Sequence, residues 1–263
     1  MASTSSHEKR SKVLAADNTA QLKIDLTPPP NGLKKFLVRD LLRPPYNSPL
    51  CESEIYCKEN QIHSFTFVIF TPDRPGRYRI TIDADKFNGR VQFGLGSGQG
   101  QVLISTELPI NAEINLWRDC TLKIGRGTSI NQAKIIADYS DIVIGEDNLW
   151  SDAIVVQSND QHGILDVETM TLRRNERTRI TTGNHVWIGR RALLLPDVAI
   201  EDGAIVAAGA VVTTSVDPMC VAGGNPARVI ARNTSWTRSP TGPTRAESAF
   251  LDELKARLSQ RGC

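Results

Sequence analysis

Four histidines, His7, His63, His162 and His185, are the side chains of this sequence best suited to moving a proton near neutral pH. His162 stands in Asp160-Gln-His-Gly-Ile-Leu-Asp166, with a carboxylate on either side. A neutral imidazole, reference pKa ~6.5, can take the proton of a hydroxyl as that oxygen attacks an electrophile. A nearby carboxylate, Asp160 or Asp166, would fix the tautomer and stabilise the imidazolium. His162 also falls where a repeat breaks, at the root of a nineteen-residue excursion over 163–181. Loops that leave a rigid scaffold are where catalytic groups concentrate. His185 is the competitor. It precedes an apolar residue of the repeat, so it is expected at a turn, pointing outward.

The element that must position these groups is the repeat itself. Ile188, Leu194, Ile200, Val206 and Val212 fall on steps of six, and Val186, Ala192, Val198, Ala204 and Ala210 precede them by two. Upstream the period runs through Ile124, Ile130 and Ile136, slips by two, and resumes at Ile144, Trp150 and Val156. The pairs Val91/Phe93, Val102/Ile104 and Ile114/Leu116 read as the same inward pair with longer turns between. A helix would return its apolar positions after 3.6 residues, so a six-residue period excludes it. Plain strand alternation is excluded by Gly, Asp and Asn at fixed offsets, as in Glu201-Asp-Gly203. The pattern predicts a short strand with two inward residues and a sharp turn, three times per triangular coil. Coils would stack ~4.8 Å apart in parallel ladders. On this scheme Trp187, between two inward residues, projects outward. Ala207, Ala208 and Gly209 form a turn with little bulk, along which an extended ligand can reach main-chain groups.

These hexads resemble the hexapeptide-repeat acyltransferases. The resemblance rests on Gly183-Asn-His-Val-Trp-Ile-Gly189, Gly209-Ala-Val-Val-Thr213, Gly223-Gly-Asn-Pro-Ala-Arg-Val-Ile230 and the Asp160–Asp166 segment, over roughly residues 90–232. The set is similar to polysaccharide and sialic-acid O-acetyltransferases, and more distantly to galactoside and maltose acetyltransferases. It implies an all-β left-handed parallel β-helix, a homotrimer with sites between subunits, and acetyl transfer from acetyl-CoA, without a metal, to a hydroxyl of a sugar, oligosaccharide or polysaccharide. It makes His162 the general base, with Asp160 or Asp166 behind it. It places Trp187, Ala207, Ala208, Gly209, Asn225, Pro226, Arg228 and Arg232 at acetyl-CoA, the arginines against its phosphates. Arg stands where the family commonly has Lys, which keeps the charge and changes the contact geometry.

Composition narrows the alternatives. With 31 Lys plus Arg against 29 Asp plus Glu, no global excess points to nucleic acid. Five scattered cysteines without a CxxC argue against a disulfide framework or a cysteine zinc site. No uncharged apolar run reaches the ~20 residues of a membrane span, and the Ser-rich first twenty residues have no signal-peptide core, so a soluble, cytoplasmic protein is expected. The expected organisation is a disordered tail at 1–20, an irregular N-terminal extension or small β region at 21–89, the β-helix at 90–232, and a linker and helix at 233–263. In that last part Thr244-Arg-Ala-Glu247 reads as a capping box, and the helix, about 245–260, would pack back on the coils and cap the last one. Arg173, Arg174, Arg177 and Arg179 in the excursion would bind an acidic glycan or nucleotide-sugar diphosphate, or be solvated. The rival functions are an N-acyltransferase for an amino sugar nucleotide, a zinc-dependent β-helical carbonic anhydrase and a non-catalytic scaffold. The anhydrase needs two close histidines, and His162 and His185 are twenty-three residues apart. Serine acetyltransferases carry a long helical N-terminal domain that this chain lacks.

Overall fold

The structure, a computed structural model, describes residues 32–42, 47–173 and 176–260. The expected tail at 1–20 lies outside those residues.

From residue 180 to 214 the hexads behave as their spacing predicts. Val186 and Ile188, Ala192 and Leu194, Val198 and Ile200, Ala204 and Val206, and Ala210 and Val212 all point inward, none more than 2% exposed. Between these pairs the chain turns on single residues in the left-handed region: His185, Arg191, Asp197, Gly203 and Gly209, with φ of 55, 59, 59, 69 and 70°. These corners are also six residues apart. Only two of the five are glycine, the residue that adopts this conformation without steric cost.

Ile180 lies beside Val198, Trp187 beside Ile205 and Leu193 beside Val211, all in parallel. Each offset is eighteen residues, three hexads, so three short strands close one coil and the next stacks on it. Glycines keep one corner tight: a Cβ on Gly145 would stand 2.3 Å from the carbonyl oxygen of Gly183 on the following coil. Beside them the buried Asn148 amide donates to the carbonyls of Glu146 and Gly183, 2.9 Å each, and accepts the Thr182 hydroxyl at 3.0 Å. No polar group of that side chain is left unpaired in the dry interior.

The upstream reading needs two corrections. Ile124 and Ile130 are inward, but the next inward residue is Ile135, with Ala133 and Ala137, and Ile136 is half-exposed. The cause is a bulge: Ile110 pairs with Ile130 but Ala112 with Ala133, one residue out of step. The β-helix also begins well before residue 90. Glu54–Cys57 runs parallel to Gly76–Ile82, and Phe65–Ile69 to Gly89–Leu95. Ile55 sits beside Ile80 and Phe65 beside Val91, offsets of 25 and 26 residues. The extra residues go into surface turns, so these are coils whose hexads are diluted rather than a separate region.

At the two ends the direction reverses. Lys34–Leu37 pairs antiparallel with Glu54–Cys57, and Arg228–Arg232 antiparallel with Cys220–Gly223. The C-terminal helix spans Arg245–Gln260. Its capping box forms: the Thr244 amide donates to Glu247 Oε2 at 2.6 Å, and the Glu247 amide to Thr244 Oγ1 at 3.2 Å. The helix does pack back on the coils, but along a corner rather than over the last coil. Leu254 abuts Gly203, Arg257 pairs with Asp202 at 3.3 Å, and Phe250 lies 5.4 Å from the His185 ring. No helix among the described residues is long and apolar enough to cross a membrane.

Candidate active site

The strand Ile154–Gln157 stacks between Ala133–Ile136 and Leu193–Leu194. Immediately after it the chain is fastened: the Ser158 hydroxyl accepts the Asp138 amide at 2.9 Å, and the Ser158 carbonyl accepts the Thr178 hydroxyl. His162 follows four residues later, exposed, and forms no hydrogen bond or ion pair with another described residue. Its imidazole is therefore available to solvent and ligand while its backbone hangs from a rigid coil.

The two neighbouring carboxylates differ. Asp166 Oδ1 accepts from the Glu168 and Thr169 amides and the Thr169 hydroxyl, at 3.0–3.1 Å, and Arg173 lies 3.6 Å from Oδ2. These bonds, the Thr169 amide foremost, hold its carboxyl below the ordinary range. Asp166 thus closes the turn of a hairpin, Leu165–Asp166 with Thr171–Leu172. Asp160 is half-buried, and its carboxylate takes part in no hydrogen bond among the described residues. Of the two, Asp160 has its oxygens uncommitted.

The excursion rejoins the coils at Thr178, not Thr182, because Thr178–Thr182 forms a full strand against Ser140–Ile144. Arg177 anchors the return. It donates to both oxygens of Asp141, at 2.7 and 2.9 Å, and to the Asp119 carbonyl at 2.7 Å. Burial would raise the Asp141 carboxyl, and the guanidinium outweighs it, leaving it below its usual value. Arg177 is committed to the scaffold, Arg173 pairs with Asp166, and Arg174 lies outside the described residues. Arg173 and Arg177 are thus each paired with a different carboxylate.

A second group gathers around Trp187 and the corner after it. Trp187 stands between Leu149 and Ile205, outward as its position predicts, 38% exposed, with Nε1 3.4 Å from Ser151 Oγ. The corner beyond Ile205–Val206 carries Ala207, Ala208 and Gly209, the last two exposed. The Asn225–Pro226 peptide is cis, and the Ala227 amide ties this turn to the Val211 carbonyl at 2.8 Å. Arg228 is exposed, and among the described residues its guanidinium bonds only the carbonyl of Ala227, at 2.8 Å. Arg232 is partly engaged by Asp217, at 3.3 Å. Of the two, Arg228 has the guanidinium less engaged by other described side chains.

Within one chain the strand leading to His162 and the strand of Trp187 belong to different stacks. The strand leading to His162 stacks with Leu193–Leu194, whereas the strand of Trp187 stacks with Leu149–Trp150 and Ile205–Val206.

His185 sits at its turn and points out of the coil, as its offset predicts, yet it is 1% exposed. Trp236 and the C-terminal helix roof it. Its Nδ1 lies 2.7 Å from Asp147 Oδ2 and its Nε2 2.9 Å from the Trp236 carbonyl. Burial disfavours the charged ring, and these two bonds outweigh it, so its pKa lies above the ordinary histidine value. A cavity of ≈ 430 Å³ beside it is lined by Asp147, Arg238, Glu247 and Phe250 among others. None of the sequence-predicted catalytic or acetyl-CoA residues lines it. Nothing in the hexads pointed to Asp147, Trp236 or Arg238: the last two lie beyond the repeat, and Trp236 is 51 residues from its partner.

Residues 179–214 match the bacterial transferase hexapeptide model (six repeats), so the reading of the hexads holds. The polysialic acid O-acetyltransferase of Escherichia coli O1:K1 / APEC is 28% identical over 160 residues, 60% of this chain and 52% of that protein. The galactoside O-acetyltransferase of Escherichia coli strain K12 is 36% identical over 112 residues, 41% of this chain and 53% of that protein. The chain thus spans about half the length of these relatives. In fold it is similar to the crystal structure of the polySia-specific acetyltransferase NeuO, with a TM-score of 0.62, 24% identity, and coverage of 74% of this chain and 94% of that one.

Proposed function

We propose that this chain is an O-acetyltransferase that moves an acetyl group from acetyl-CoA to a hydroxyl of a sugar or polysaccharide, with His162 as general base. The observation that carries this reading is His162 itself: an exposed imidazole, without a partner among the described residues, hung from a rigid hexapeptide coil at the root of the excursion. As the acceptor oxygen attacks the thioester carbonyl, the imidazole takes its proton, with Asp160 as the available carboxylate to stabilise the imidazolium. Main-chain N–H groups of an adjoining coil would hold the oxyanion. Collapse of the tetrahedral species expels the CoA thiolate, which takes the proton back from His162 and leaves as the thiol.

Acetyl-CoA suits the second group. Its pantetheine arm can lie along the low corner of Ala207, Ala208 and Gly209 beside Trp187. Its phosphates can meet the Arg228 guanidinium, which has no carboxylate against it among the described residues, with Arg232 near and Asn225 and Pro226 shaping the turn. Because His162 and Trp187 occupy different faces of one stack, a second copy is needed to bring the base to the thioester, which supports a homotrimer. Val167 and Met170, at 78% and 70% exposed on the excursion hairpin, suit contact with that copy. An enzyme spending acetyl-CoA would work in the cytoplasm.

The test is CoA thiol release from acetyl-CoA with sugars, oligosaccharides, polysaccharides and amino sugar nucleotides as acceptors. A hydroxylamine-labile ester product is expected. An amide product formed only on an amino sugar would overturn O-transfer, and no turnover with any acceptor would overturn the transferase reading.

A further inference from the structure

Both ring nitrogens of the buried His185 face acceptors: a carboxylate oxygen of Asp147 and the main-chain carbonyl of Trp236. A neutral imidazole has one N–H. It can donate to one of these groups only, and it must turn a lone pair toward the other. The imidazolium alone satisfies both. Trp236 is fixed to the same residue twice more: its Nε1 donates to the His185 carbonyl at 2.9 Å, and its indole lies on the imidazole with centroids 4.4 Å apart and planes 10° from parallel. That indole also has the Arg238 guanidinium over it, 5.4 Å from its centroid, and Trp187 beside it, 6.4 Å away and tilted by 48°.

We propose that His185 is a positioning residue for acyl transfer: as an imidazolium bridging Asp147 and the Trp236 carbonyl, it pins the C-terminal segment to the coil and seats Trp236 behind Trp187. The proposal rests on the reading of Trp187 as part of the acetyl-CoA site. The charged groups around the ring come from each element packed against it. From the preceding coil, Asp147 favours the charged form directly and Glu146 lies beside it. From the C-terminal segment, Arg238 occupies the other oxygen of Asp147 at 2.8 Å and opposes the charge, while Glu247, bonded to the Arg238 amide at 2.9 Å, favours it.

The clamp has a direction in pH. Its folded pKa lies above the ~6.5 of a free histidine, so its contribution is fully present below about 6.5 and is lost as pH rises through the higher folded value. Above that point the KM for acetyl-CoA should climb while kcat holds, because His162 hangs from another face.

Long-range ¹H–¹⁵N NMR of the histidine rings in the full chain reads the charge directly and needs no variant. Both His185 nitrogens are expected protonated at pH 7. A neutral ring there overturns the proposal. In parallel, His185→Gln, which cannot donate to both acceptors, should raise the KM for acetyl-CoA about 5–10-fold at pH 7, keep kcat within about twofold, and abolish the rise of KM at high pH. Trp236→Phe, which retains the stack, should lose less. A charged ring with an unchanged KM in His185→Gln overturns the positioning role. Calorimetry with CoA separates the two readings: a wild type with a charged His185 that binds no CoA fails the transferase assignment, and with it the positioning role, while leaving the charged clamp as a fact.

Discussion

Arg177 reaches back to Asp141 with two parallel hydrogen bonds, one to each carboxylate oxygen. This pair fixes the point at which the excursion returns to the coils, and with it the reach of the loop that His162 begins. Bonds between charged groups contribute ~1.5–3 kcal/mol when well formed, and the half-exposed setting lowers that. Arg177→Ala is expected to destabilise the chain by about 1–2 kcal/mol in urea melts. The first proteolytic cut in the variant should fall within 163–176.

The proposed base gives a sharper expectation. His162→Ala should lower kcat ~10²–10⁴-fold, the span of a positioned general base. The affinity for acetyl-CoA, measured by calorimetry, should stay within about twofold, because His162 is not among the residues proposed to hold it. Asp160→Asn should cost more than Asp166→Asn in kcat, since Asp166 is spent on its own turn. The reverse order would move the orienting role to Asp166.

Arg228→Ala should weaken CoA binding on the order of tenfold or more, the loss of a charge-assisted contact of ~1.5–3 kcal/mol. If the 3′-phosphate is its partner, the deficit should vanish against dephospho-CoA. An equal deficit with both forms would place Arg228 on another part of the molecule.

The excursion hairpin tests assembly. Val167→Asp with Met170→Asp puts two charges on its exposed apolar tip, which the proposed trimer would have to bury at a cost of several kcal/mol. Light scattering should find a trimer for the unaltered chain and a smaller species for the variant at micromolar concentration.

Glu54 sets the acid limit of the first coils. Burial alone would raise its carboxyl, but hydrogen bonds from Lys35, Arg77 and Tyr56 bring it from 4.5 down to about 2. A lowered folded pKa means stability that is present above the unfolded value of ~4.3 and is lost as pH falls toward 2. Glu54→Gln should therefore be destabilising at pH 7, with the difference from the unaltered chain shrinking between about pH 4.5 and 2 in thermal melts.

The hexads made the later coils legible because every corner there takes one residue and every strand two inward ones, so position and burial repeat together. Upstream the same inward pairs exist, yet turns of variable length between Ile55 and Ile80 or Phe65 and Val91 remove the period that would reveal them. The bulge before Ala133 moved the inward residue from Ile136 to Ile135, a one-residue slip that two adjacent isoleucines conceal. His185 shows where local reading stops. Its direction followed from its offset, but its burial depends on Trp236, and no local pattern encodes a contact across 51 residues. The commitment of Arg177 to Asp141, 36 residues away, was hidden for the same reason, whereas the bonds of Asp166 to Glu168 and Thr169 are local.

The reversed strands at the two ends of the stack have a consequence for the protein in a crowd of its own copies. A parallel β-helix cut off cleanly would present, at each end, the same edge that its own coils use to add to one another, and chains could concatenate end to end into a fibre. Lys34–Leu37 and Arg228–Arg232 each lay an antiparallel strand over one such edge. A coil arriving in the native direction finds there a partner running the wrong way. The features that end the repeat on those faces also oppose its continuation into a neighbour.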